Sequence, residues 1–235
     1  MEERAEFKTD ATIDSLYMSI LQDAFSNDDS EDDPKIRWVL AAVVLAINPL
    51  SPSAIVAPLG FDTDEVFPIL SSVHSLLILD EDVDRPVRAF HKSFLGIITD
   101  QTRCINERFF VQSAIYHSEF LIHCLELMNQ RLERNMCKLP EAIVNFGVND
   151  LQVKTERYVD CALRYACSSW HKHLASTTPP RVLKTKPPLH QFLEGKFLCW
   201  LEVLGILGAA KEAVYALQAS ARELDVSCVS RFVPT

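Results

Sequence analysis

Apolar residues recur at helical spacing in the first part of the chain. Ile13, Leu16, Tyr17, Ile20, Leu21 and Phe25 predict an amphipathic helix over residues 12–26. Five acids in seven residues follow, from Asn27 to Asp33; like charges repel, so this reads as an exposed linker. Asp33-Pro34 pairs an N-cap residue with a proline at the first helical position, and the helix it opens carries Val39 to Ile47 and stops before Pro49. Ser51-Pro52 repeats that start signal, with Gly60 as its stop. Asp62 with Glu65 resembles a capping box opening a helix to about Val73. Leu76 to Leu79 and Val87 to Phe90 are short apolar runs around the acidic turn DEDVDRP, which predicts a β-hairpin.

Three short helices and a hairpin in this order predict a winged-helix domain over about 34–104, preceded by the helix and acidic linker of 1–33. The remainder, 105–235, reads as an α-helical domain, so the fold class is mainly α with one short hairpin. Its apolar stripes are Ile115 to Leu132 within 113–136, and Leu151 to Trp170 within 150–175. The stretch TTPPRVLKTKPP reads as a Pro-rich basic connection. Two further helices, 189–206 and 209–225, are separated near Gly205 and Gly208. Each stripe needs a partner, so packed helix pairs are expected.

Composition narrows the function. The chain has 235 residues, only 6 glycines and a net charge of -9, which disfavours Gly-rich phosphate loops and binding to nucleic acid through its phosphates. The charge is uneven: residues 1–100 carry 7 Lys/Arg against 19 Asp/Glu, while residues 101–235 carry 16 against 13. The would-be recognition helix opens on Asp62, Asp64 and Glu65, and the wing carries Asp80, Glu81, Asp82 and Asp84. Both surfaces repel phosphate, so no DNA partner is expected. The longest apolar run, Trp38 to Ile47, is 10 residues, too short to span a bilayer, and MEERAEFKTD has no signal core. Seven cysteines without a CxxC framework, Cys124, Cys161, Cys167 and Cys199 among them in apolar helical stretches, point to reduced, buried thiols in a cytoplasmic protein.

Candidate chemistry is sparse. GxSxG, HExxH, an EF-hand loop and GxxxxGK[ST] are all absent, and Gly195-Lys196 is an isolated pair inside a helical pattern. Cys167, His171 and His173 are close enough in sequence to share a zinc ion, yet His117, His123 and Cys124 do not complete a four-ligand spacing. No metal and no catalytic constellation is expected, so the chain is read as a non-enzyme. His91, just after the second strand in RAFHKSF, is either an ordinary strand-end histidine or an imidazole that donates a hydrogen bond to an anion.

The segments IDSLYMSIL (Ile13 to Leu21), NPLS (Asn48 to Ser51), FHKSF (Phe90 to Phe94), Asp100 with Arg103-Cys104, CLELM (Cys124 to Met128), RNMCKL (Arg134 to Leu139), LRYACSSWHKHL (Leu163 to Leu174) and FLCWLEVLGILG (Phe197 to Gly208) follow one another in a telling order. Together they resemble the region between the nucleotide-binding domain and the WD-repeat propeller of fungal NACHT-domain proteins, which are NOD-like, signal-transducing P-loop NTPases. The resemblance covers nearly the whole chain. It implies that 1–33 ends an NTPase helical subdomain, followed by a winged-helix domain and a helical arm, in a switch between ADP-bound and ATP-bound states. It implies that His91 senses the nucleotide phosphate, with Ser93 and Phe94 as packing residues beside it. The fungal pattern continues with Asp and Phe where this chain has Gly96 and Ile97; a glycine within a helix costs about 1 kcal/mol relative to alanine and loosens it.

The phosphate-binding loop, the Mg²⁺ carboxylates and the repeats of that family are not in this sequence. ADP or ATP would therefore be held only by an NTPase core outside it, and no cofactor is expected in the chain itself. Its partners would be that core and a WD-repeat region in cis, with this chain a regulatory linker between them. The alternative is a stand-alone helical protein–protein interaction module without nucleotide dependence. Val229 to Thr235 carries no helix stop, and the chain is expected to be either a piece of a longer gene or a degenerate remnant.

Overall fold

The computed structural model describes residues 3–26, 33–59, 63–140, 150–177 and 179–223. The chain is mainly helical, with one small two-stranded antiparallel sheet. It divides into two compact units, Met1–Tyr116 and His117–Thr235.

The first unit opens with α1 (Glu3–Ala24), then α2 (Asp33–Leu45), α3 (Pro52–Leu59) and α4 (Thr63–Ser72). Helix α1 begins earlier than the apolar stripe predicts. Local chemistry accounts for α3: the Ser51 hydroxyl accepts from the Ala54 N–H at 3.2 Å, an N-cap contact that also explains why NPLS ends where it does. The acidic stretch 27–32, the Gly60 stop and the Asp62 half of the capping box lie outside the described residues. A short 3-10 turn, His74–Leu76, leads into β1 (Leu77–Ile78), which pairs with β2 (Arg88–Ala89) in the register Leu77 to Ala89 and Ile78 to Arg88.

The hairpin is seated on the α2–α3 turn. The Val87 N–H donates to the Leu50 carbonyl at 2.8 Å, the Ser53 N–H donates to the Val83 carbonyl, and the Ser53 hydroxyl donates to Asp84 at 2.6 Å. Helix α5 (Lys92–Ile98) follows directly. Ile36, Val39, Leu40, Val66, Leu70, Phe94, Ile97 and Ile98 are fully buried, and each such side chain contributes roughly 1.5–3 kcal/mol.

The first compact unit runs on past α5 to Tyr116, because the segment after that helix folds back onto α1. Arg103 grips both Asp14 carboxylate oxygens, at 2.9 and 2.6 Å. Arg108 donates to the Phe25 carbonyl at 2.6 Å, which satisfies an orphan carbonyl past the end of α1, and Phe25 stacks at a tilt on Phe109. The Val111 N–H closes the segment onto the Ile98 carbonyl at 2.8 Å.

The second unit contains most of α6 (Ser113–Arg131), then α7 (Leu151–Tyr158), α8 (Cys161–Ser176), α9 (Pro179–Gly195), α10 (Phe197–Ile206) and α11 (Glu212–Glu223). The single helix expected over 150–175 is two helices. Asp160 breaks it by N-capping α8, its carboxylate accepting from the Leu163 N–H at 2.9 Å while also pairing with Arg131 at 2.7 Å. The TTPPRVLKTKPP stretch is not an irregular connection, since α9 begins at Pro179. Prolines fit a first helical turn, where the N–H has no partner anyway, whereas Pro187 and Pro188 sit further inside and remove two helix hydrogen bonds. The helix expected over 189–206 is interrupted at Lys196, which separates α9 from α10, while the break expected near Gly205 and Gly208 lies between α10 and α11, with Gly208 at φ +67° in the left-handed conformation glycine tolerates.

The core of this unit is aromatic. Trp170, Trp200 and Phe192 form an edge-to-face triangle with centroids 5.3–5.8 Å apart, and the Trp200 indole N–H donates to the Cys167 carbonyl at 2.8 Å. Helix α11 packs mainly on α8, with Ala216 and Ser220 one and two turns beyond Glu212 on its buried side. The RNMCKL turn carries two residues at positive φ, Asn135 and Lys138. Asn135 supports this backbone with its own amide, which bonds both the N–H and the carbonyl of Leu139, and its N–H donates to Glu202 at 2.8 Å. Among the cysteines Cys104, Cys124, Cys137 and Cys167 are buried as free thiols, but Cys161 is exposed and Cys199 half-buried, because their helices turn those positions away from the core.

Candidate functional site

His91 stands at the junction of β2 and α5 and caps that helix. Its backbone is extended, with φ -139° and ψ 140°. The Ser93 N–H donates to His91 Nδ1 at 3.2 Å, and the Ser93 hydroxyl lies 2.7 Å from the same atom. A backbone N–H can only donate, so Nδ1 is an acceptor, and the neutral ring carries its proton on Nε2. The Tyr17 hydroxyl of α1 is 3.0 Å from Ser93 Oγ. With the Ser93 proton directed to Nδ1, Tyr17 donates to Ser93, and the three groups form one relay.

His91 itself is exposed, Ser93 half-buried and Phe94 fully buried. Phe94 packs against the Tyr17 ring at 5.6 Å, so α1 touches this site through both polar and apolar contacts. Phe90, the first residue of FHKSF, behaves in the opposite way and is 73% exposed. The strand register puts Phe90, Arg88 and Ile78 on the same face of the hairpin, and Ile78 is 55% exposed. Neighbouring side chains on extended backbone point to opposite faces, so His91 falls on the other side of the ribbon from Phe90.

Tyr17 was not legible as part of this site. It reads as one member of the apolar stripe of α1 and lies 76 residues from Ser93. Asp100 and Arg103, picked out within the family resemblance, hold the backbone together. Asp100 accepts from the Thr102 N–H and hydroxyl, which with Arg103 nearby lowers its pKa. Arg103 ties the end of α5 to α1. Gly96 faces outward, and a Cβ there would meet only Arg103 Nη1, at 3.6 Å, an ordinary contact. Gly96→Ala is expected to stabilise the fold by about 0.5–1 kcal/mol through helix propensity. A urea midpoint that falls in this variant would show that α5 needs the glycine.

The second unit gathers histidines on α6 and α8. His173 is fully buried, with Nδ1 2.8 Å from His117 Nδ1, Nε2 2.6 Å from the Tyr165 hydroxyl, and its ring stacked on Phe120. Burial first, then the neighbouring His117 and His171, push its pKa down to about 3. His171, also buried, places Nε2 3.2 Å from Glu212 Oε2 without hydrogen-bond geometry, while Lys172 pairs with the same oxygen at 3.3 Å. Burial lowers its pKa, Lys172 adds to this, and Glu212 opposes it. Cys167 is a buried thiol whose pKa burial raises. The three residues considered for zinc thus face different partners, and among the described residues no three His, Cys, Asp or Glu side chains converge on a point a metal ion could occupy.

Neither a family profile nor a solved structure matches the chain. A distant similarity does exist to the vegetative incompatibility protein HET-E-1 of Podospora anserina. It is 27% identical over 223 residues and covers 88% of this chain. The chain spans only 16% of that protein's length. Among the described residues no helix is long and apolar enough to cross a membrane.

Proposed function

We propose that the chain is a non-catalytic regulatory segment of a NACHT-type signal-transducing NTPase, coupling nucleotide state to a downstream sensor region. The observation that carries this reading is the coverage: nearly the whole chain aligns with a small part of a much longer fungal NACHT and WD-repeat protein. The order of helices and hairpin in residues 34–104 supports a winged-helix domain within the first unit. His91 supports the sensing role, because it is exposed with its remaining donor on Nε2. Nucleotide exchange in that core would then bias two packings of the segment.

One imidazole does not hold a nucleotide, since phosphate binding needs several converging donors. Calorimetry of this chain alone with ADP is therefore expected to show no micromolar binding. The decisive test is the full-length transcript across both ends of the reading frame. A P-loop NTPase upstream and repeats downstream are expected; a message that starts at Met1 and stops after Thr235 overturns the reading.

A specific observation favours a second reading, a helical interaction module without nucleotide dependence. Helix α10 is apolar on most of its surface yet buries only Trp200, Val203 and Leu204, leaving Leu198 77% exposed. Partner capture repeated with ADP, with ATP and without nucleotide separates the two, since only the first reading makes capture depend on nucleotide.

A further inference from the structure

We infer that Tyr17 and Ser93 are positioning residues that hold His91 in its Nε2–H tautomer, so that helix α1 controls whether the imidazole presents a donor. The functional weight of this inference rests on the sensing role proposed for His91, but the tautomer is a property of the chain alone. A neutral imidazole offers one donor and one acceptor, and a phosphate oxygen accepts only. His91 serves such a ligand through Nε2 only if Nδ1 stays unprotonated. Two donors converge on Nδ1: the Ser93 N–H at 3.2 Å and the Ser93 hydroxyl at 2.7 Å. The hydroxyl alone is ambiguous, because Ser93 Oγ can donate or accept.

Tyr17 adds to the bias set by the Ser93 N–H. Its hydroxyl lies 3.0 Å from Ser93 Oγ, and by donating it fills one of the two serine lone pairs and leaves the serine proton to point at Nδ1. The phenol is held in place by its ring contact with Phe94 and, one turn away on α1, by the two-pronged Arg103–Asp14 pair. The relay thus runs from a helix to a ring atom across 76 residues of sequence. A rearrangement that lifts α1 from α5 removes the phenol and leaves the Ser93 N–H as the remaining fixed donor to Nδ1, so the form with the proton on Nδ1, whose outward atom is an acceptor, gains population.

The test is the ring-nitrogen spectrum of His91 in the full ¹⁵N-labelled chain, recorded at about pH 8, above the ordinary histidine range. The wild type is expected to show Nδ1 unprotonated and Nε2 protonated, with no detectable second form. Ser93→Ala and Tyr17→Phe are each expected to raise the Nδ1–H fraction several-fold, and Ser93→Thr, which keeps the hydroxyl, to restore the wild-type spectrum. Tyr17→Phe retains the ring that packs on Phe94, so it remains informative if Ser93→Ala fails to fold. An Nδ1–H form in the wild type, or a spectrum unchanged by loss of the Tyr17 hydroxyl, overturns the inference. No nucleotide is used, so a normal tautomer response in a chain whose parent ignores nucleotide would count against the regulatory reading alone.

Discussion

Replacing Trp200 with alanine is expected to destabilise the second unit by about 3–5 kcal/mol, a large share of the stability of an ordinary domain. Two effects combine. The indole is fully buried between Trp170 and Phe192, so its loss leaves a cavity that two rigid aromatic neighbours cannot close. Its N–H also donates to the Cys167 carbonyl, and alanine offers no replacement. Trp200→Phe refills most of the volume without the donor and should cost clearly less. Urea unfolding followed by circular dichroism reads both variants. A Trp200→Ala midpoint within experimental error of the wild type would mean that the triangle does not organise this unit.

Mild acid is expected to weaken the same unit. The His173 pKa falls from the ordinary value of 6.5 to about 3 in the folded chain, chiefly through burial. The unfolded chain binds that proton first. Between these two values it therefore holds more protons than the folded chain, and stability drops as pH falls through this window. The slope is about 1.4 kcal/mol per pH unit for one such histidine, so roughly 2 kcal/mol is lost on going from neutral pH to pH 5. His117, His123 and His171 shift in the same direction, each mainly through burial, and steepen the loss. Glu126 and Glu119 near His123, and Glu212 near His171, work against it. His173→Phe should be less stable at neutral pH, because Tyr165 and His117 lose a partner, yet its stability should fall less between pH 7 and pH 5. Parallel pH profiles for the variant and the wild type would remove His173 as the cause.

Much of the first unit was readable from local signals. Ser51-Pro52 marks the start of α3 through a capping side chain and a proline whose missing N–H does no harm there, and Pro34 likewise falls in the first turn of α2. The hairpin follows from two apolar runs around an acidic turn. The same kind of signal was present at Asp160, which caps α8, but the continuous apolar stripe over 150–175 masked it. In the sequence Pro179 looks like part of a connection, because proline clusters usually mark loops, although the first turn of a helix accepts them equally well.

The candidate site was half legible. His91 stood out as a polar residue directly after a strand, and Ser93 and Phe94 came with its motif. Their division of labour did not show in the sequence, since Phe90 and Phe94 look alike there and one is exposed while the other is buried.

By itself the sequence determined the fold class, the order of helices and hairpin in the first unit, and the position of His91. These depend on caps, prolines and apolar periodicity, which act over a few residues. Only the tertiary structure decided that Arg103 clamps Asp14, that Trp200 closes an aromatic triangle, that His173 is sealed from water, and that Tyr17 reaches the histidine through Ser93. Each of those joins groups from distant parts of the chain, and burial, hydrogen-bond direction and pKa are properties of the place where they meet rather than of any residue alone.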